Sequence, residues 1–146
     1  MTATVRLTWP LAKWPTPNKR LHPMARANQV KAIRTAAALL GQQALTRTGP
    51  VTVPCEITVA FGFPDGRRRD IANFEAKHAI DGLVDAGLIA DDSWREVPRM
   101  VLEHDPEPSE KGQLRVTITI TEARPPDKDG PQGAATPAGL TTTSTD

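Results

Sequence analysis

The side chains best suited to chemistry lie in one stretch of the chain, residues 67–92. Residues 67–69 are all arginine and directly precede Asp70, and a second acidic pair, Asp91 and Asp92, follows a short apolar run. Arginine forks hold phosphate groups, and Mg²⁺ prefers carboxylate oxygens together with water and phosphate. The stretch therefore predicts metal-assisted chemistry on a phosphate ester, although an arginine run or an Asp-Asp-Ser turn taken singly is often only a solvated surface.

A helix is predicted from about residue 71 to residue 86, and it carries further charged groups. On a helical wheel, Asp70, Asn73, Lys77 and Asp81 fall within an arc of roughly 80°, on the apolar side. Burying unpaired charges costs several kcal/mol, so Lys77 and Asp81 are expected to pair, bind a metal or line a wet cleft. The simpler alternative is a surface ion pair at spacing i,i+4. The opposite, solvated side is predicted to carry Glu75, His78, Gly82 and Asp85.

The charges are divided unevenly along the chain, although the net charge is only +1. No acidic residue occurs before Glu56, whereas this first part carries eight lysines and arginines. A basic block of this kind binds polyanions, and nucleic-acid phosphate is the commonest of these. The alternative is a surface whose cations pair with the later carboxylates once the chain folds.

The hydrophobic pattern predicts the order β-α-β-α-β-β. Alternating apolar residues indicate strands, and apolar residues three or four apart indicate helices. This order is typical of an α/β (α+β) domain with a mixed sheet and two principal helices. The predicted elements are a strand over residues 4–9, a basic Pro-rich loop over 10–27, a four-turn helix starting near Asn28, a strand over 55–63, the helix over 71–86, and strands over 97–104 and 114–120.

Length and composition favour one domain, residues 1–122, followed by a disordered Pro/Gly/Thr-rich tail, residues 123–146. No apolar run approaches the roughly 18 residues of a membrane span, and no signal peptide is recognised at the N-terminus. The lone Cys55 has no partner for an intramolecular disulfide. We expect a cytoplasmic protein that does not associate with membranes.

Several segments resemble the RusA-like Holliday junction resolvases, many of which are carried by phages and prophages. Trp9-Pro10 followed by residues 17–20 resembles the family's N-terminal loop, and residues 67–73 resemble its basic run leading to an acidic motif. Lys77, residues 81–83 and residues 86–93 resemble the pattern that follows. The resemblance covers residues 5–120.

The resemblance implies a homodimeric endonuclease that binds four-way DNA junctions and, with Mg²⁺ (or Mn²⁺), nicks them symmetrically during recombination and repair. The implied catalytic residues are Asp70, Lys77 and Asp92, with Asp70, Asp92, Asp91 and Asp81 as metal ligands. The predicted DNA contacts, mostly to backbone phosphates, are Arg67, Arg68, Arg69, Asn73, Lys19, Arg20 and Arg26.

One position departs from the family pattern, because Ala72 stands where a second aspartate is expected. Lys77 also lies one residue later than the pattern has it. Two other hypotheses therefore stay open. The chain is a junction-binding protein with weak or no catalysis, or it is a general nuclease acting on flaps and forks.

Overall fold

The computed structural model describes residues 2–17 and 19–124, and it confirms the predicted α+β class and the order of elements. Met1, Asn18 and residues 125–146, which include most of the predicted tail, lie outside the described residues. Short 3₁₀ turns occur at Leu11–Lys13 and Ile71–Asn73. The main elements are β1 (Thr2–Pro10), α1 (Pro23–Thr48), β2 (Cys55–Gly62), α2 (Lys77–Asp85), β3 (Arg99–His104) and β4 (Gln113–Glu122).

The four strands form one mixed sheet in the order β1-β4-β2-β3. β4 pairs antiparallel with both β1 and β2, whereas β2 and β3 run parallel and are connected through α2. Parallel neighbours need a crossover connection of this kind, because a tight turn would make the second strand antiparallel to the first. β3 lies at one edge of the sheet, and its outer backbone edge has no partner among the described strands.

The two faces of the sheet differ because side chains alternate along each strand. The inner face carries the aliphatic core, and both helices pack on this side, with α1 contacting β1 and α2. The outer face is largely threonine on β1 and β4. The inner side chains of the three covered strands are Ala3, Val5, Leu7, Cys55, Ile57, Val59, Phe61, Leu114, Val116, Ile118 and Ile120.

Helix α1 begins earlier than predicted, so the assignment of residues 23–27 to a loop was wrong. Pro23 occupies the first helical position, where its missing N–H leaves no bond unmade. The Nδ1 atom of His22 accepts a hydrogen bond from the backbone N–H of Met24 at 3.1 Å and caps the helix. The helix has 26 residues, about seven turns rather than four.

Helix α2 is shorter than predicted, and the continuous helix expected from residue 71 was wrong. Residues Ile71–Asn73 form a separate 3₁₀ turn, and Phe74 is extended, with φ −88° and ψ 107°. This backbone conformation places the Phe74 ring 5.9 Å from that of Phe61 and 5.0 Å from that of Phe63. Aromatic packing against β2 therefore outweighs the local helical pattern.

The two helices approach closely at Gly82, which had been expected on the solvated side of α2. Gly82 is buried, and a Cβ atom there would lie 2.3 Å from the backbone oxygen of Arg34 and 2.8 Å from the Cβ of Ala37. Gly41 makes the reciprocal approach from α1 toward Leu83. The glycines permit a helix spacing that larger residues would prevent.

The inner face of β3 is left uncovered by this arrangement. Met100 and Leu102 are in register with the buried Ile57 and Val59 of β2, yet they are 44% and 39% exposed. β3 starts at Arg99 rather than residue 97, since the N–H of Val97 donates to the oxygen of Ser93 in the preceding turn. The uncovered side chains form the floor of the site described below.

Within residues 2–17 and 19–124, no helix is long and apolar enough to span a membrane.

Replacing Gly82 with alanine is expected to lower the free energy of unfolding by about 1–3 kcal/mol, because the added methyl group overlaps the backbone of α1. Urea denaturation measures this change. Gly66→Ala is the matched control, since no atom lies within 4 Å of a Cβ at that position. Equal stability of the two variants would contradict the close helix contact.

Candidate functional site

A cleft of about 330 Å³ lies between α2 and the uncovered part of β3. Met100 and Leu102 form the floor of the cleft, and Phe74 and Ile80 line the apolar part of its wall. The polar lining residues include Lys77 and Asp92. The cleft therefore combines an apolar wall with charged groups at its mouth, as expected for a site that holds a ligand at a defined position.

Lys77 links two acidic side chains from different parts of the chain. Its Nζ atom lies 3.4 Å from Oδ1 of Asp81 and 3.5 Å from Oδ2 of Asp92. Asp81 is one helical turn further along α2, whereas Asp92 follows the helix in the loop toward β3. The prediction that Lys77 points inward was wrong, since its side chain is 70% exposed, but the two carboxylates are only 20% and 29% exposed.

The electrostatic surroundings of Lys77 keep it protonated. The charge of Asp81 and then that of Asp92 raise the pKa of Lys77 above its ordinary value of 10.5. Its ammonium group is therefore a permanent cation over the physiological pH range. It can stabilise negative charge on a phosphate, but it is unsuited to removing a proton from water.

The other predicted metal ligands, Asp70 and Asp91, make local hydrogen bonds to the backbone. The exposed Asp70 precedes the 3₁₀ turn, where its carboxylate accepts a hydrogen bond from the N–H of Ala72 at 3.1 Å. Asp91 accepts from the N–H of Asp92 at 2.8 Å. Asn73 ends the 3₁₀ turn and is half-buried. The described ion pairs of Lys77 involve Asp81 and Asp92, and include neither Asp70 nor Asp91.

The carboxylates of Asp81 and Asp92 are the oxygen groups at Lys77 that could hold a hard divalent cation, and both are paired with its ammonium group. Two carboxylates converge on one positive charge, and Mg²⁺ is commonly held by one or two carboxylates together with substrate phosphate and water. Among residues 2–17 and 19–124, no group of three or more His, Cys, Asp or Glu side chains is arranged to hold a metal ion. Any magnesium site here would include oxygen ligands from the substrate or solvent.

A second pocket, of about 340 Å³, is formed by the arginine run. Arg69 is fixed within it, since its Nη1 lies 2.8 Å from Oδ1 of Asp65 and its guanidinium lies 5.0 Å from the centre of the Phe63 ring. The neighbouring Arg67 and Arg68 are exposed and also line this pocket. Arg69 therefore holds the loop in place and leaves its two neighbours facing solvent.

The two pockets adjoin the same face of β3. His104 lines the arginine pocket, and its ring stacks on Phe63 with centroids 6.0 Å apart. Leu102 and Met100 follow at two-residue intervals along the inner face and line the cleft. The uncovered β3 face thus connects the arginine loop with Lys77. The sequence does not predict that Met100, Leu102 and His104 line these pockets. Alternation indicates a strand, but it does not indicate which strands the helices leave uncovered.

The predicted DNA contacts in the N-terminal region have different surroundings. Lys19 donates hydrogen bonds to the backbone oxygens of Ala12 at 2.6 Å and Trp14 at 2.8 Å, and burial lowers its pKa. Lys19 therefore stabilises the Pro-rich loop. Arg20 is exposed, whereas Arg26 forms an ion pair with Glu75 in the segment before α2.

Glu75 connects the start of α1 to the segment before α2. It accepts hydrogen bonds from Arg26 at 2.6 Å and is 3.0 Å from Nε2 of His78. Partial burial opposes ionisation of Glu75, but the hydrogen bonds from these two partners outweigh it and lower its pKa. Helical periodicity predicts a solvent-exposed Glu75, because the pattern contains no information on which other helix packs beside this residue.

No known protein family matches the chain, and no characterised protein is significantly similar to it.

Acidification is expected to remove the stability that Glu75 contributes. Because its folded pKa is lowered, this contribution is present above the unfolded value of 4.5 and is lost as pH falls through the folded pKa. Glu75→Gln should cost about 1 kcal/mol at neutral pH and weaken the loss of stability in acid. Urea denaturation from pH 7 to pH 3 measures both. The exposed Glu103→Gln is the control, and parallel pH curves for Glu75→Gln and wild type would contradict the assignment.

Proposed function

We propose that the chain is a Mg²⁺-dependent, structure-selective DNA endonuclease that resolves four-way junctions in recombination and repair. The observation that carries the proposal is the position of Lys77 between Asp81 and Asp92 at the mouth of the cleft. An exposed cation held by two carboxylates suits a phosphate that is bound together with a metal ion. The resemblance of residues 5–120 to RusA-like resolvases supports the same activity.

The side chains in the cleft divide the work by charge. Lys77 holds a non-bridging oxygen of the phosphate and stabilises the charge that develops on it during hydrolysis. Asp92 and Asp81 orient the ammonium group of Lys77 and supply oxygen ligands. Asp92 together with Asp81 or Asp70 would hold magnesium, which would supply Lewis acidity for hydrolysis of the phosphate ester. Asp91 orients the loop through its hydrogen bond to the N–H of Asp92.

The β3 face provides a path for the DNA backbone. His104 and Met100 are separated by four residues of strand, about 13 Å, which is long enough for successive phosphates of one DNA strand to lie along it. Arg67 and Arg68 would hold phosphates at one end, and Lys77 would hold the scissile phosphate at the other. Met100 and Leu102 would contact the sugars, which present apolar C–H groups.

The partners and location follow from this activity. Resolving a junction requires two nicks, and a homodimer with a two-fold axis supplies two equivalent sites. Branched DNA is then the substrate, and the cytoplasm is the compartment in which a bacterial or phage-encoded resolvase meets it.

Two alternative functions have their own support. Ala72 in place of a family aspartate favours a junction-binding protein with little or no catalysis, and so does the fact that the described ion pairs of Lys77 do not include Asp70. A general nuclease acting on flaps or forks would use the same cleft. Comparing cleavage of a four-way junction, a fork and a linear duplex of equal length distinguishes the three.

Substituting the acidic residues of the site is expected to abolish cleavage and to spare binding. Asp92→Asn and Asp70→Asn should each reduce Mg²⁺-dependent nicking of a synthetic four-way junction by at least about 100-fold. Lys77→Met should reduce it similarly, because the ammonium group is lost. Binding measured in EDTA should change by less than about threefold, since arginines hold the backbone.

Asp85→Asn is the matched control for these variants. Asp85 lies on the same helix but pairs with Arg34 at 2.6 Å, away from the cleft. Its nicking rate should remain near that of the wild type. Unchanged cleavage by both Asp92→Asn and Lys77→Met would refute the site.

The arginine pocket is expected to contribute phosphate contacts. Arg67→Gln and Arg68→Gln should each weaken junction binding and reduce the slope of log affinity against log salt by about 1, since each releases roughly one counterion fewer. Fluorescence anisotropy at several salt concentrations measures the slope. Arg47→Gln, an exposed arginine in the last turn of α1, is the control. An unchanged slope in both pocket variants would place the DNA elsewhere.

A further inference from the structure

One large apolar side chain, two residues after Asp92 in the sequence, lies largely outside the core. Trp94 is 74% exposed, whereas Trp14 is completely buried and Trp9 packs partly against the core. It is the most exposed of the large hydrophobic residues in the described part of the chain. Single exposed apolar side chains are common on protein surfaces, so a role for Trp94 must come from its surroundings as well as from its exposure.

The backbone around Trp94 is firmly held. The N–H groups of Glu96 and Val97 donate to the oxygen of Ser93 at 3.1 and 2.8 Å, and the hydroxyl of Ser93 bonds to the side chain of Glu96. The oxygen of Glu96 also accepts from the N–H of Cys55 at the start of β2, at 2.8 Å. Trp94 therefore projects from a turn that is anchored to the sheet.

The surroundings of the indole ring favour a nucleic-acid ligand. The guanidinium of Arg95 lies 5.3 Å from the ring centre, a cation–π arrangement. Trp94 is two residues beyond Asp92, so their Cα atoms are at most about 7.6 Å apart. An exposed aromatic ring with an arginine beside it is the combination with which proteins stack on unpaired bases while holding the adjacent backbone.

We propose that Trp94 stacks on an unpaired base at the branch point of the DNA, next to the phosphate held by Lys77. The inference rests on the proposed function, and it identifies a residue that determines specificity for branched over continuous DNA. A base inside a continuous duplex is already stacked on both sides, whereas a base at the branch point can turn outward at lower cost. Trp94 would then bind junctions selectively without touching the cleavage chemistry.

The test compares binding of a four-way junction and of a linear duplex, both in EDTA. Trp94→Ala should weaken junction binding by about 10-fold and change duplex binding by less than about twofold, since stacking of one base on an aromatic ring contributes about tenfold to affinity. Trp94→Phe should restore most of the junction affinity because it retains an aromatic face. Leu39→Ala, which removes another exposed apolar side chain from α1, should bind both DNAs normally.

The outcomes separate this inference from the proposed function. Equal affinities of Trp94→Ala and wild type for the junction would overturn the stacking role, and so would a wild-type protein without preference for the junction. An equal loss on junction and duplex would also overturn it, because it would indicate a general backbone contact. Adding Mg²⁺ to the same wild-type complexes tests nicking, and an absence of product would remove the nuclease assignment while leaving Trp94-dependent binding intact.

Discussion

The close contact between the two helices is the constraint on which the rest of the structure depends. Gly82 brings α2 against the backbone of α1, and the ion pair between Arg34 and Asp85 closes the same contact at its exposed edge. Two helices held this tightly cover the strands beneath them but do not extend over β3. Met100 and Leu102 of β3 remain exposed and form the floor of the cleft.

Charge is arranged around the cleft so that one cation faces two anions. Lys77 lies at the first position of α2, and its pKa is raised by Asp81 and Asp92. A lysine of this kind is a cation throughout the physiological pH range, and its charge offsets part of the negative charge of the two carboxylates. At the other end of β3, Arg69 forms an ion pair with Asp65, and this ion pair holds the loop that carries Arg67 and Arg68.

The sequence predicts the elements of this fold better than it predicts their neighbours. Period-two and period-three-to-four patterns identify four strands and two helices in the right order, because each element buries one face. They fail where tertiary contacts decide. Phe74 ends the helical pattern by packing on β2, and Gly82 is buried by α1 although a helical wheel places it in solvent. The pairing of Lys77 with Asp81 follows from i,i+4 spacing, but the approach of Asp92 depends on the loop after α2.

We propose that the cleft beside β3 hydrolyses the backbone of branched DNA with the help of magnesium. The most direct measurement is a single-turnover reaction of the wild-type protein with an end-labelled four-way junction, in Mg²⁺ and in EDTA. The account predicts nicks at symmetric positions in two opposite strands, formed only with Mg²⁺. Tight junction binding without product in either Mg²⁺ or Mn²⁺ would contradict it.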